Sequence, residues 1–455
     1  VKGGAEMKRA AAGVLLVAAL AAGVGSILAA SAGGRDLASA PVSSPGAQER
    51  IIVLRGGRVV PVSGPEIANG IVLVEGGKIK AVGREGEVAV PDSAKVIDAA
   101  GGWILPGLVE SLASMGLGDP YGPSGGDEVS DPVTAGLRIL DALNPFDKRF
   151  GQAARAGVTT LMIAPGRSNV IGARTAVVKP RGATAEEMVL LEPAGVKLSL
   201  GEGPKDAFGA KGRLPGTRMG SAYVVRKALL EAAEYLRKRK AHEEAVAAAK
   251  KKKGAEPPAA PPRDLDLEPL AGLLEGRLTA FIECHRADDI QTALRLVDEF
   301  RFKAVLVGAT EAYKAAGEIA KRGLPVVVGA MGVGSKRIET MDVSLANAAT
   351  LVKAGIKTAI AAEDALGIGT QEELALAAAL AVKGGLDRDA ALRAVTLTAA
   401  EILGVADRVG SLEPGKDADI VVFDGDPFHY RTRVVRVFID GLEVKIPEPL
   451  RGPRP

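Results

Sequence analysis

The sequence predicts an α/β fold: a (β/α)8 TIM barrel with a small composite β-sandwich built from the segments that flank it. Three observations carry the prediction. Between residues 106 and 400, short apolar runs alternate with Ala-rich helical stretches. Gly and Pro bound many of these runs, as in repeated β-α units with parallel strands. On both sides of this body the pattern changes to alternating strands around tight turns. A doubly wound open sheet is the competing architecture. No G-x-G-x-x-G follows an early strand, which weakens its dinucleotide-binding form.

The 455 residues suit one large α/β domain plus a smaller one. Lys8 and Arg9 precede the apolar run AAAGVLLVAALAAGVGSILAA, and Ala30-Ser31-Ala32 offers a small-x-small cleavage site. Residues 1–32 are therefore expected to be a signal peptide that exports the protein to the periplasm. The alternative is an uncleaved membrane anchor, because the run is about long enough to span a bilayer. Residues 33–50, rich in Ala, Ser, Gly and Pro, read as a linker.

From 51 to 105, IIVLRGGRVV, GIVLVEGGKIKAVG and AKVIDAAGGWILPG read as hairpin strands, the first part of the sandwich. The barrel, 106–400, has candidate strands VTTLMIAP (158–165), TAVVK (175–179), LTAFIEC (278–284), KAVLVG (303–308), LPVVVG (324–329) and IKTAIAA (356–362). Candidate helices such as ADDIQTALRLVDEF and EAYKAAGEIAKRG lie between them. A long charged helix over 223–253 ends in Lys250 to Lys253 and is broken by GAEPPAAPPRD. Its distal part, 236–266, reads as a solvated charged insertion, with a lid or a patch for an acidic partner as the alternative. From 401 to 447, GSLEPGKDADIVVFDGDP and VVRVFIDGLEV return to hairpin chemistry as the second part of the sandwich, and 448–455 is a tail.

Composition narrows the function. Aromatic residues are only 3%, which argues against base-stacking surfaces, and a net charge of +3 with both signs mixed marks no polyanion partner. No nucleic-acid partner is expected. Cys284 stands alone, so neither an internal disulfide nor a Cys-based zinc knuckle is available. The only imidazoles are His242, His285 and His429.

GGWILPGL, GSLEPGKDADIVVFDGDP and RVFIDG resemble the amidohydrolase superfamily, with closest similarity to its imidazolonepropionase-like and dihydroorotase-like members. SNVIGARTAVVKPRGAT, PGTRMG and HRADDI resemble an exported bacterial branch. The resemblance implies hydrolysis of a non-peptide carbon–nitrogen bond in a small amide or cyclic amide, at the C-terminal mouth of the barrel. It also implies a divalent metal, zinc in the first instance, which lowers the pKa of bound water to about 7.

The resemblance assigns the metal ligands to positions that this chain has largely changed. The paired histidines after the first strand match Leu112 and Ser114, and a third matches Gly308. The strand-five histidine matches Glu283, with His285 two residues on, so one of the two is expected to face the mouth. The last-strand aspartate matches Glu363, followed by Asp364, as catalytic base. Lys179 is the candidate for a strand-four bridging lysine, and Glu110 is a further acidic candidate. Arg218 is available to grip a substrate carboxylate.

Two readings stay open. In one, the site is degenerate, binds no metal, and the chain is a noncatalytic binding or assembly subunit for a protein partner. In the other, Glu110, Glu283, Glu363 and Asp364, with His285 and Lys179, form an oxygen-rich set suited to Mg²⁺, Mn²⁺ or Ca²⁺. Each candidate also has a structural alternative: Glu110 capping a loop, His285 starting the following helix or pairing with Asp288, Lys179 pairing with a carboxylate. Cys284 is expected to face the barrel–helix layer and to be inert. RSNVIGAR reads as an ordinary connection, with anion binding by its backbone N–H groups as the alternative. Membrane contact is expected only through an uncleaved signal, and a homo-oligomer is left open.

Overall fold

The computed structural model describes residues 51–118, 126–251, 258–329, 337–362 and 373–446. The expected signal peptide (1–32), the linker (33–50), Glu363, Asp364 and the tail (448–455) lie outside the described residues.

The flanking strands are β1 (Ile52–Val59), β2 (Ile67–Glu75), β3 (Lys78–Arg84), β4 (Lys95–Asp98), β5 (Trp103–Pro106), β14 (Ile420–Phe423), β15 (Val434–Ile439) and β16 (Leu442–Glu443). They form one sheet in the order β16-β15-β14-β5-β1-β2-β3, with β4 beside β1. The sequence-distant β14 pairs antiparallel with β5, Val421 opposite Leu105, so the two ends of the chain share one sheet. This is the composite sandwich. Ile52, Leu54, Val72, Ile104, Ile420 and Phe438 supply its core.

The barrel strands are β6 (Leu108–Ala113), β7 (Val158–Ile163), β8 (Ile171–Val178), β9 (Val189–Ser199), β10 (Ala280–Cys284), β11 (Ala304–Gly308), β12 (Val326–Val328) and β13 (Thr358–Ile360). They run around the barrel in sequence order. Strands such as AVLVG and VVV are apolar throughout because both faces are covered. Val109, Met162, Val177, Phe281, Val307, Val327 and Ala359 pack together inside the barrel. Alternate residues such as Leu161, Ile282, Cys284 and Leu306 join the layer under the helices.

The helix Ala287–Phe300 buries Ile290, Ala293, Leu294 and Val297, the helical spacing that its sequence predicts, and stops where Arg301 turns left-handed at φ 56°. The long charged helix is Arg218–Lys250, starting five residues earlier than expected on a Thr217 cap whose hydroxyl accepts from the Gly220 N–H. Among the described residues no helix is long and apolar enough to cross a membrane.

One expectation fails. The β-α repeat predicts parallel strands throughout, yet β8 runs antiparallel to both β7 and β9. The connection between β7 and β8 is short, and a short connection reverses direction, whereas a parallel return needs a long crossover. RSNVIGAR makes that turn. Its Ser168 N–H and hydroxyl both donate to Asp127, so a carboxylate of the chain itself is the anion it holds.

Candidate functional site

The reversal of β8 decides where Lys179 goes. As the residue after the last of β8, it lies beside the start of β9, where Val178 pairs with Val189, at the end opposite the mouth. There its Nζ donates to Asp417 at 2.7 Å, Asp419 at 3.1 Å and Asp440 at 2.5 Å. Lys179 is a buried tie between barrel and sandwich. The expectation that it is a strand-four metal ligand is corrected: it sits at the wrong end of an antiparallel strand.

The lysine that does reach the mouth from the fourth strand is Lys197, near the C-terminal end of β9. Its Nζ donates to Glu283 Oε2 at 2.6 Å and to the Gly166 carbonyl at 3.3 Å. Both side chains are buried, Lys197 at 1% and Glu283 at 4% exposure. The register places Lys197 beside Phe281 and Glu283 beside Ser199, so the two charges meet on the diagonal of a parallel pair. The run VKLSL alternates, which signals a strand, but here the polar positions face inward at the mouth.

From Glu283 the network continues. His285 Nε2 lies 3.3 Å from Glu283 Oε1, and its Nδ1 lies 2.9 Å from Thr310 Oγ1. Burial pushes the Glu283 carboxyl up, but the Lys197 cation and the hydrogen bond from His285 outweigh it and hold the group well below the ordinary carboxylate range. An ionised Glu283 accepts from Nε2–H, so in the neutral imidazole Nδ1 accepts from the Thr310 hydroxyl. The result is a buried chain Thr310–His285–Glu283–Lys197 at the ends of three adjacent strands. Both residues two apart, Glu283 and His285, therefore belong to the site. The pairing of His285 with Asp288 does not occur, because Arg286 takes Asp288.

Gly308 explains the position of the ring. A Cβ on Gly308 would lie 2.6 Å from His285 Cε1, and its φ of 75° favours glycine. The imidazole of His285 thus fills the space that strand six leaves empty. Leu112 packs inside the barrel with Met162 and Phe281, while Ser114 is exposed just past the strand.

Glu110 bonds to backbone N–H groups on two barrel segments. Fully buried, it accepts from the Leu112 N–H at 3.1 Å and the Ala362 N–H at 3.0 Å, joining the first barrel strand to the segment after the last. Arg218 donates from Nε to Asp289 Oδ2 at 3.0 Å. Asp289 is itself buried, and burial pushes its carboxyl up against the pull of Arg218. Arg218 is thus turned to a carboxylate of the chain, as the partner of the helix that follows β10. Burial, with the negative charges of Asp289, Glu283 and Glu339, pushes the Cys284 thiol well above its usual range, an inert cysteine. His242 lines a groove with Tyr235, Arg239 and Arg263, and His429 is exposed against Tyr430.

A zinc ion needs three or four imidazole, thiolate or carboxylate donors converging at about 2 Å. Among the described residues no group of three or more His, Cys, Asp and Glu is placed to hold a metal ion. Among the described residues, the donors in this buried chain are the Glu283 carboxylate, already bound to an ammonium and an imidazole, and that imidazole, whose other nitrogen is on Thr310. This donor set does not fit the metal that the sequence resemblance implies.

The buried polar chain lies at the C-terminal ends of the barrel strands, the face on which barrel enzymes build their sites. The Amidohydrolase family model matches residues 286–444. A solved amidohydrolase from Thermotoga maritima MSB8 is 35% identical, with a TM-score of 0.79 over 87% of this chain and 99% of that one. The amidohydrolase tasK of Hapsidospora irregularis is 28% identical over 77% of this chain and 37% of its own length. An imidazolonepropionase of Picrophilus torridus is 32% identical over 23% of this chain and 28% of its own. The chain therefore spans about a third of the length of these curated relatives. It belongs to the amidohydrolase family.

Proposed function

We propose that this protein takes a small amide or cyclic amide at its barrel mouth and is, by reaction class, a hydrolase of non-peptide carbon–nitrogen bonds with a degenerate metal site. The observation that carries the reading is the chain Thr310–His285–Glu283–Lys197. Amide hydrolysis needs a base for water and an acid for the leaving nitrogen. Glu283 orients the imidazole and stabilises its protonated form, Lys197 fixes the carboxylate, and Nδ1 is the basic nitrogen, held at rest by the Thr310 hydroxyl. Glu363 and Asp364, three and four positions beyond Ile360 in the sequence, are proposed as further bases.

The second reading is a noncatalytic binding or assembly subunit. Leu112 and Gly308 favour it, because apolar packing and a bare backbone stand where imidazoles are expected. A panel of linear and cyclic amides, assayed with and without added Mn²⁺ or Mg²⁺, separates the two. Turnover that is lost in His285→Asn and in Glu283→Gln supports the hydrolase. No turnover across the panel, together with a protein partner that co-purifies from the native source, supports the subunit.

We further propose export to the periplasm by cleavage after Ala32. N-terminal sequencing of the mature protein tests this, and an intact Lys8–Arg9 terminus in a membrane fraction would refute it.

A further inference from the structure

We propose that the Lys197 ammonium is a built-in cation that excludes a divalent metal from the barrel mouth. The inference takes from the functional reading only the location of the site, and it stands whether or not the protein turns over an amide.

The geometry supplies the argument. Glu283 stands where the sequence resemblance places a strand-five metal ligand, and Lys197 reaches it from strand four at 2.6 Å. Both are buried, so water does little to screen their interaction. A divalent ion bound to Glu283 at about 2 Å would stand within a few ångströms of the ammonium, and like charges at that range in a dry site repel strongly. The second oxygen of Glu283 is taken as well, by His285 Nε2. The imidazole that accompanies Glu283 lies in the space above Gly308, with Nδ1 on the Thr310 hydroxyl. The replacements at the mouth are mutually consistent. The positions that the sequence resemblance assigns to histidines hold Leu112, Ser114, Gly308 and Glu283, and the charge of Glu283 is neutralised by Lys197.

The competing reading makes Lys197 one of the metal's own ligands, and the two predict opposite results. The test compares wild type with Lys197→Met, which removes the charge and keeps much of the bulk. Each protein is treated with chelator and titrated with Zn²⁺ and Mn²⁺, with bicarbonate present, by calorimetry and by thermal unfolding. The proposal expects no saturable binding to wild type and, in Lys197→Met, weak binding through the freed Glu283 with His285, read as a metal-dependent rise in unfolding temperature at high ion concentration.

One equivalent of Zn²⁺ bound tightly to wild type overturns it, whatever the variant does. A folded Lys197→Met that gains no response to either ion also overturns it, because the ammonium is then not what keeps the cation out. Lys197→Gln, which still donates to Glu283 without a charge, replaces the Met variant if that one does not fold, and it is read in the same way. None of these measurements depends on turnover, so the failure of this inference is distinct from failure of the hydrolase reading.

Discussion

The Glu110 carboxylate accepts from the Ala362 N–H at 3.0 Å across the seam where the first and last barrel strands meet. Its other oxygen accepts from the Leu112 N–H. One buried side chain thus satisfies two backbone donors at the place where the strand ladder is interrupted. Glu110→Ala leaves both donors without this partner in a dry environment. It is expected to destabilise the protein by about 3 kcal/mol or more, read as a lower denaturant midpoint. A change within about 0.5 kcal/mol would mean that the seam is held by something else.

Gly308 and His285 share one space, so the strand-six histidine cannot simply be put back. Gly308→His in the wild-type background is expected to destabilise the fold, by about 1–2 kcal/mol from the left-handed backbone alone, and to gain no Zn²⁺ binding. Calorimetric titration checks this. Recovered zinc binding in that single variant would show that the His285 ring is not the obstacle.

Lys179 holds three carboxylates together at the barrel–sandwich junction. Lys179→Met removes the cation and leaves the Asp417 and Asp419 carboxylates buried without it, an expected loss of about 3–5 kcal/mol. Because Lys179 is at the end opposite the mouth, ligand binding by the protein that still folds should be unchanged. A thermal-shift titration with a bound amide would expose any link to the site.

The same junction predicts a pH dependence. Burial pushes the Asp419 carboxyl from 3.8 up to about 6, against Lys179 and with the help of Asp440. The folded state therefore binds a proton that the unfolded state releases between about pH 4 and 6. Across that window this group's contribution to stability falls as pH rises, by at most about 1.4 kcal/mol per pH unit. Asp417 acts in the opposite sense. Burial raises its carboxyl, but Lys179, Lys78 and Arg408 lower it further, so its contribution is lost as pH falls through the depressed value. Asp419→Asn isolates the first effect. Stability of this variant relative to wild type should rise between pH 4 and 6, and parallel pH profiles would refute the assignment.

Much of the architecture was legible along the chain. Apolar runs at β-α spacing predicted five of the parallel barrel strands, and the hairpin patterns of the flanks predicted the shared sheet. ADDIQTALRLVDEF became the helix Ala287–Phe300 residue for residue. The missing imidazoles were visible by counting, and the alternation of Glu283, Cys284 and His285 correctly put the cysteine on the other face. β9 gives no clear strand signal because Glu192, Pro193 and Gly195 interrupt it, and Lys197 carries no local mark of its place at the mouth.

What the sequence by itself determined is periodicity: which segments are strands or helices, and which residue types are available for chemistry. Only the tertiary structure decided the direction of β8, and with it the exchange of Lys179 for Lys197 at the mouth. Periodicity is local and the same for a strand run in either direction, whereas direction depends on pairing with neighbours. The bond from Lys197 to Glu283 joins residues 86 apart. No local pattern encodes such a contact, and closing the barrel brings it about.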